Sequence, residues 1–285
     1  MMPRLLTISC LQTSPRPTFA TAREEAIALA EMAIGKGPSL ICLPEYCGGL
    51  RSDEGRFVPP HAKEDEHPVL LALKDFAKKN KVWICVGSVA ITGENGRYFN
   101  RSLLLDNNGD IKCRYDKIHL FDINLADNSH AFKESATVQF GNQISLAETP
   151  FGTIGFSVCY DLRFAHIYRK MAQNGAEILL VPSAFTKKTG EAHWHILNRA
   201  RAIENGAFVV APCASGVIEG GGDSYGHSLV VDPWGEILAD GGVGSGVITS
   251  QIDLQKVEKT RMQIPSLQHD RDYQLEIIDA SGGSS

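Results

Sequence analysis

The sequence has no apolar run long enough to span a bilayer, and its opening residues, Met1 to Cys10, read as a first strand without the extended apolar core of a secretory leader. It also lacks a charge bias. Its 28 Lys and Arg stand against 33 Asp and Glu, a net charge of −5 with no block of one sign. That balance argues against a nucleic-acid or anionic-membrane surface. No C-x-x-C pair occurs among the seven cysteines, at positions 10, 42, 47, 85, 113, 159 and 213. An odd number of thiols, mostly inside apolar strand-like runs, does not suit a disulfide framework and fits free thiols in a reducing cytosol. Internal linkers, solenoid periods and low-complexity tracts are absent too. The chain therefore reads as one domain over residues 1–280, with 281–285 a disordered tail.

What is present is an α/β pattern. Residues 5–11 read as a strand and 18–33 as a helix, with Ala26, Ala30 and Ala33 on one face. An apolar strand over 40–43 stops at Pro44-Glu45, and a loop rich in Gly, Pro and charge fills 46–67. A helix over 69–79 and a strand over 82–90 follow. Asn107-Asn-Gly-Asp, Thr149-Pro-Phe-Gly and Asp232-Pro-Trp-Gly each sit between two strand-like runs, as hairpin turns do. Strands over 177–181 and 208–214 bracket a helix over 192–205, and little pattern remains after Ile264. Strands alternating with helices and interrupted by hairpins predict mixed sheets. With so many strands, two stacked sheets flanked by helices are favoured over one open sheet.

Three reactive side chains fall at the carboxyl ends of strands, the edge where α/β active sites assemble. Glu45 follows Leu40-Ile-Cys-Leu-Pro, Lys117 follows Cys113-Arg-Tyr-Asp, and Cys159 follows Phe156-Ser-Val and opens a helical pattern through Leu162, Ile167 and Met171. Singly, Cys159 reads as one more buried apolar cysteine, Glu45 as a solvated loop carboxylate and Lys117 as a surface ammonium. Together they supply a nucleophile, a base and a cation. A thiol at a strand-to-helix junction is expected near backbone N–H groups that favour the thiolate. It needs a base for its proton and donors for a developing oxyanion. Histidine is the usual base, yet none of the nine histidines has a context that singles it out. A carboxylate raised in pKa by an apolar setting can do the same work.

The ordered motifs Leu43-Pro-Glu-Tyr, Tyr115-Asp-Lys-Ile-His-Leu-Phe-Asp-Ile, Phe132-Lys-Glu-Ser and Gly155-Phe-Ser-Val-Cys-Tyr-Asp-Leu-Arg-Phe continue with Pro182-Ser-Ala-Phe, His193-Trp, Arg199-Ala-Arg-Ala-Ile-Glu-Asn and Tyr225-Gly-His-Ser-Leu-Val-Val-Asp-Pro-Trp-Gly. Over almost its full length the chain thereby resembles the nitrilase superfamily of carbon–nitrogen hydrolases. The resemblance implies a four-layer α-β-β-α sandwich, a homodimer or higher homo-oligomer paired across the helix layer after the cysteine, and no metal or organic cofactor. It implies a triad in which Cys159 is the nucleophile, Glu45 the general base and acid, and Lys117 the electrostatic stabiliser. Glu134 would help position the lysine and substrate, and the Tyr160 backbone N–H would be a second oxyanion donor. Within the superfamily the chain looks most like the amidase branch acting on small 2-oxo acid amides. Ala192-His-Trp, Arg199-Ala-Arg-Ala-Ile-Glu and Tyr225-Gly-His-Ser look like deaminated glutathione amidase, while Lys117-Ile-His-Leu-Phe-Asp-Ile looks at least as much like omega-amidase, and the first is preferred. Both substrates carry carboxylates. Arg163, four residues after Cys159, is the candidate cation, with a structural ion pair to Asp161 or another carboxylate as its alternative. The loop from Phe185 is expected to line the pocket.

Other signals are weaker. Gly155-Phe-Ser-Val-Cys lacks the closing glycine of a serine-hydrolase elbow, so Ser157 is not the expected nucleophile. Gly241-Gly-Val-Gly-Ser-Gly lacks the strand–turn–helix setting of a dinucleotide loop and reads as a turn. His193 and His195, two apart on a helix, point to different faces and do not suit a shared metal. Arg199, Arg201 and Glu204 read as helix ion pairs. A Cys–His hydrolase and a non-catalytic binding protein on the same scaffold are the rival classes.

Overall fold

The computed structural model describes residues 3–53, 56–124 and 131–278. Strands β1 (Leu5–Gln12), β2 (Leu40–Cys42), β3 (Trp83–Thr92), β4 (Tyr98–Leu105) and β5 (Ile111–Asp116) form most of a first sheet. A second sheet contains, side by side, β6 (Leu146–Thr149), β7 (Gly152–Phe156), β8 (Ile178–Leu180), β9 (Phe208–Ala211), β10 (Leu229–Val231) and β11 (Ile237–Asp240). The chain then returns to the first sheet with β12 (Gly246–Asp253), giving the order β12-β1-β2-β3-β4-β5. The principal helices are α1 (Phe19–Ile34), α2 (Pro68–Asn80), α3 (Ala165–Gln173), α4 (His195–Asn205) and α5 (Gln255–Gln263).

Strand alternation sorts the side chains into layers. Ile8, Cys10, Leu40, Cys42, Cys85 and Leu104 share one core with Ile154, Phe156, Ile178 and Leu180 of the second sheet. The alternate residues Leu11, Ile41, Ile84, Val86, Leu103 and Leu105 pack against α1 and α2. On α1 the contact is a stripe of Ala22, Ala26, Ala30 and Ala33, small enough for close approach. Tyr168 and Met171 of α3 and Ala202 of α4 join the core on the far side of the second sheet. The result is an α-β-β-α sandwich of two mixed sheets. Local signals start its helices: Thr18 Oγ1 accepts from Thr21 N–H at 3.3 Å to cap α1. At α2, His67 Nδ1 accepts from Leu70 N–H at 3.3 Å and Pro68 takes the first helical position.

Several elements differ from the sequence reading. No strand was expected over 246–253, yet β12 pairs antiparallel with the whole of β1, from Leu5↔Asp253 to Gln12↔Gly246. As an edge strand it is only half-buried, so its apolar alternation is faint. The helix expected at Cys159 is a 3₁₀ turn, Cys159–Arg163, and α3 begins only at Ala165. The helix expected over 192–205 opens with a wider π turn over Gly190–Trp194. Residues 281–285, expected to be disordered, lie outside the described residues. Among the described residues no helix is long and apolar enough to cross a membrane.

The topology gathers the reactive ends. β1, β2 and β3 are parallel, and the two reversals through β4 restore that direction in β5. Glu45 and Lys117 therefore leave the same edge of the first sheet. β7, β8 and β9 are also parallel, so Cys159 and Ala184 leave one edge of the second. Gly87 makes a close approach possible: a Cβ there would collide with the carbonyls of Leu43 and Pro44, the backbone that carries Glu45.

Candidate active site

Glu45, Lys117 and Glu134 lie 4%, 1% and 2% exposed, and Cys159 is 7% exposed. All but Glu134 line one pocket together with Phe57, Phe121, Tyr160, Ala184, Phe185, Thr186 and Thr189. Lys117 Nζ donates to Glu45 Oε1 at 2.8 Å and to Glu134 at 2.9 and 3.2 Å. Isolated charges this deep would be untenable, and the pairing is what permits them. Asn100 Nδ2 donates to Glu45 Oε1 at 2.9 Å and to Glu134 Oε1 at 3.1 Å. Tyr46 OH and the Phe121 N–H also donate to Glu134, at 2.9 and 2.7 Å. The remaining Glu45 oxygen, Oε2, accepts from the Ala184 N–H at 2.9 Å, which ties the two sheets together at the site.

Burial alone would neutralise Lys117, but the Glu134 and Glu45 carboxylates outweigh it and hold the ammonium well above the usual lysine range. Cys159 moves the other way from expectation. Burial, then the nearby Glu45 carboxylate, push its thiol well above the ordinary cysteine value, and Lys117 offsets only part of this. The N–H of Cys159 itself is spent on Pro182 O at 2.9 Å and is not available to the thiolate. Burial and the Glu45 carboxylate together hold the group toward its thiol form. Its backbone is held at φ 49°, the left-handed region that a non-glycine residue enters only when its surroundings impose it. The Tyr160 N–H falls at the start of the 3₁₀ turn, where N–H groups have no acceptor within the turn.

Of the other candidates, Tyr160 and Phe185 line the pocket and Arg163 stands behind them. Its guanidinium carbon lies 5.8 Å from the Tyr160 ring centre and 5.5 Å from that of Phe185. Both terminal nitrogens lie 3.4 Å from His193 Nδ1. The expected alternative partner, Asp161, is not bound to Arg163: its carboxylate accepts from Val158, His119 and Tyr115 instead. His193 and His195 do diverge. His195 faces Asp240 at 3.0 Å beside His227, and this trio brings its potential ligand atoms within 4.8 Å of one another. Arg201 pairs with Glu204 at 3.0 Å, while Arg199 donates to Gly235 O instead of forming the expected ion pair.

Asn100, Tyr46 and Asp161 were missed as site residues. Asn100 carried a signal, since it alternates with Ser102 and Leu104 on one face of β4 and places an amide where the pattern calls for an apolar group.

A family model described as carbon-nitrogen hydrolase matches residues 7–262. The chain belongs to the carbon–nitrogen hydrolase family. This hydrolase is 36% identical over 269 residues to a protein named deaminated glutathione amidase from Synechocystis, covering 92% of the chain and 96% of the relative. It is 34% identical over 247 residues to omega-amidase NIT2 of Mus musculus, covering 86% and 88% of the two chains. Among solved structures, the C. elegans NitFhit protein superposes with a TM-score of 0.84 at 30% identity over 95% of this chain. This chain spans 66% of that protein's length. These likenesses place the carbon–nitrogen hydrolase in the amidase branch of the nitrilase superfamily.

Proposed function

We propose that this carbon–nitrogen hydrolase cleaves the amide of a small carboxylate-bearing substrate, deaminated glutathione before others, through a Cys159 thioester. The observation that carries the reading is the buried Lys117–Glu45 pair, 2.8 Å apart, lining the same pocket as Cys159. Glu45 takes the thiol proton as Cys159 Sγ attacks the carbonyl carbon, and the C=O electron pair moves onto oxygen. Lys117 and the Tyr160 N–H stabilise that oxyanion. Collapse of the tetrahedral intermediate breaks the C–N bond, and Glu45 returns the proton to the leaving nitrogen, releasing ammonia. Glu45 then deprotonates water, which attacks the thioester. The second collapse frees the acid and returns a proton to Cys159. Glu134 holds Lys117 in place throughout, and Phe185 forms a wall of the pocket.

A thiol held toward its protonated form suits this cycle, because the base that must remove the proton lines the same pocket. Arg163, against the Tyr160 and Phe185 rings that line the pocket, is the cation for the substrate carboxylate. The relatives named deaminated glutathione amidase support the substrate choice. Relatives named omega-amidase support 2-oxoglutaramate as the second reading. The same reading makes the protein a single-domain homodimer of the cytoplasm. Exposed Ile196 and Ile203 on α4 support pairing across that helix layer, and seven free cysteines support a reducing compartment.

Ammonia release measured over a panel of 2-oxo amides and monocarboxylic amides tests the assignment. Deaminated glutathione should give the highest kcat/KM. A preference for neutral monocarboxylic amides would overturn the substrate class, and activity retained in Cys159→Ala would overturn the mechanism.

A further inference from the structure

We infer that Asp161 is a positioning residue that fixes the nucleophile turn against the lysine-bearing strand end, and so sets where Cys159 and Lys117 stand relative to each other. The inference rests on the roles proposed above for those two residues. Asp161 is fully buried and both of its oxygens are saturated. Oδ2 accepts from the Val158 N–H at 2.8 Å and from Tyr115 OH at 2.6 Å. Oδ1 accepts from the His119 N–H at 3.0 Å and lies 2.7 Å from His119 Nδ1. Val158 immediately precedes Cys159, while Tyr115 and His119 stand two residues before and two residues after Lys117. One carboxylate therefore bonds the chain on both sides of the lysine and next to the cysteine.

The connection crosses between the sheets, since Tyr115 lies in β5 of the first and Val158 follows β7 of the second. It also meets the need created by Cys159 at φ 49°, because such a conformation persists only where neighbours over-determine it. The Asp161 N–H returns a bond to Val158 O at 3.1 Å, so the turn is closed by side chain and backbone together. His119 is itself steadied by stacking on Phe164, with ring centres 3.5 Å apart and planes 9° from parallel. Asp161 is not among the residues lining the pocket, so it acts through Cys159 and Lys117 and not on the substrate.

Asp161→Asn retains the size of the side chain, but whichever oxygen the amide nitrogen replaces, it meets a backbone N–H donor, that of His119 or that of Val158. Displacement of catalytic groups by about 1 Å costs about 100-fold, so kcat should fall by about that factor while KM changes little. The readout that a merely structural role would not move is the pH dependence of Cys159 alkylation by iodoacetamide. With Lys117 displaced, the thiolate loses its cation, so alkylation should slow and its midpoint should rise. Tyr115→Phe removes one of the donors and should move kcat and the alkylation midpoint in the same directions by less, which keeps the test open if Asp161→Asn does not fold. Tyr168→Phe, which breaks a buried 2.6 Å bond to Ser157 Oγ, is the control for loss of stability alone. Wild-type kcat and alkylation in Asp161→Asn, or in Tyr115→Phe where the first variant is unfolded, would overturn the inference. So would shifts no larger than those of Tyr168→Phe. Cys159→Ala in the same assay separates the two levels: an active Cys159→Ala refutes the nucleophile assignment, whereas an inactive one beside an unaffected Asp161→Asn refutes only the positioning role.

Discussion

Lys117 Nζ lies 2.8 Å from Glu45 Oε1, with both side chains almost entirely removed from water. The contact gives the carboxylate two opposed duties. It neutralises the ammonium at rest, and in the proposed cycle it must also accept and return a proton. Glu134 resolves the conflict by pairing with the same ammonium at 2.9 Å, so the lysine retains a counter-charge whenever Glu45 is protonated.

Glu45→Gln separates these duties. The amide retains the size and an acceptor for Asn100 and Lys117 but cannot exchange a proton. Turnover should fall by about 10²- to 10⁴-fold, the usual contribution of general acid–base catalysis, with the fold intact. His166→Ala and His227→Ala should retain most of the activity, since no histidine lines the pocket among the described residues. One of these as inactive as Cys159→Ala, beside an active Glu45→Gln, would indicate a Cys–His enzyme.

Lys117→Met tests the oxyanion role. Loss of one such donor costs roughly 3–4 kcal/mol, so kcat should drop by about 10²- to 10³-fold. Steady-state kinetics on a folded variant would check this. A rise confined to KM would make Lys117 a binding residue and require a different stabiliser.

Arg163→Lys should weaken recognition of charged substrates because the planar two-pronged donor is lost. We expect kcat/KM to fall about tenfold or more for carboxylate-bearing amides and little for a neutral short amide. Equal losses on both would mean that Arg163 serves the Tyr160–Phe185 wall and that the carboxylate is read elsewhere.

A different prediction concerns pH and stability. Burial lowers His67 from 6.5 to about 4, so the native state favours its neutral form. A depressed folded value means that the contribution is fully present above 6.5 and is lost as the pH falls through about 4. At 1.36 kcal/mol per unit the loss reaches about 3 kcal/mol by the lower end. His67→Asn keeps a helix-capping side chain without the titration, so its Tm should vary less than wild type between these pH values. Parallel Tm–pH curves would show that His67 is not the group responsible.

The reactive ends were legible because chain position alone marks them: Glu45 and Cys159 each follow an apolar strand that stops abruptly, and Lys117 follows the alternating strand through Tyr115. What surrounds them was not. The Asn100 contact to Glu45 spans 55 residues and the Ala184 contact spans 139, and neither leaves a local pattern. β12 was hidden for another reason. Its pairing with β1 relies partly on polar contacts such as Ser9 Oγ to Thr249 Oγ1 at 2.8 Å, which hydrophobic periodicity does not detect. The state of the Cys159 thiol was misjudged because a strand-to-helix junction predicts N–H donors, whereas burial beside a carboxylate decides the outcome.

The Ala184–Glu45 bond and the Asp161 bonds to Tyr115 and His119 are point ties between two stacked layers that share an apolar core, and apolar packing resists separation more than it resists sliding. Base and nucleophile therefore ride on different plates, and their registration is a property of the whole sandwich. Small slippage between the plates would misalign the chemistry while leaving secondary structure and most of the core unchanged. Heat inactivation of this protein should consequently run ahead of its melting, and mutations far from the pocket that loosen the interlayer packing should first appear as slow enzymes with native spectra.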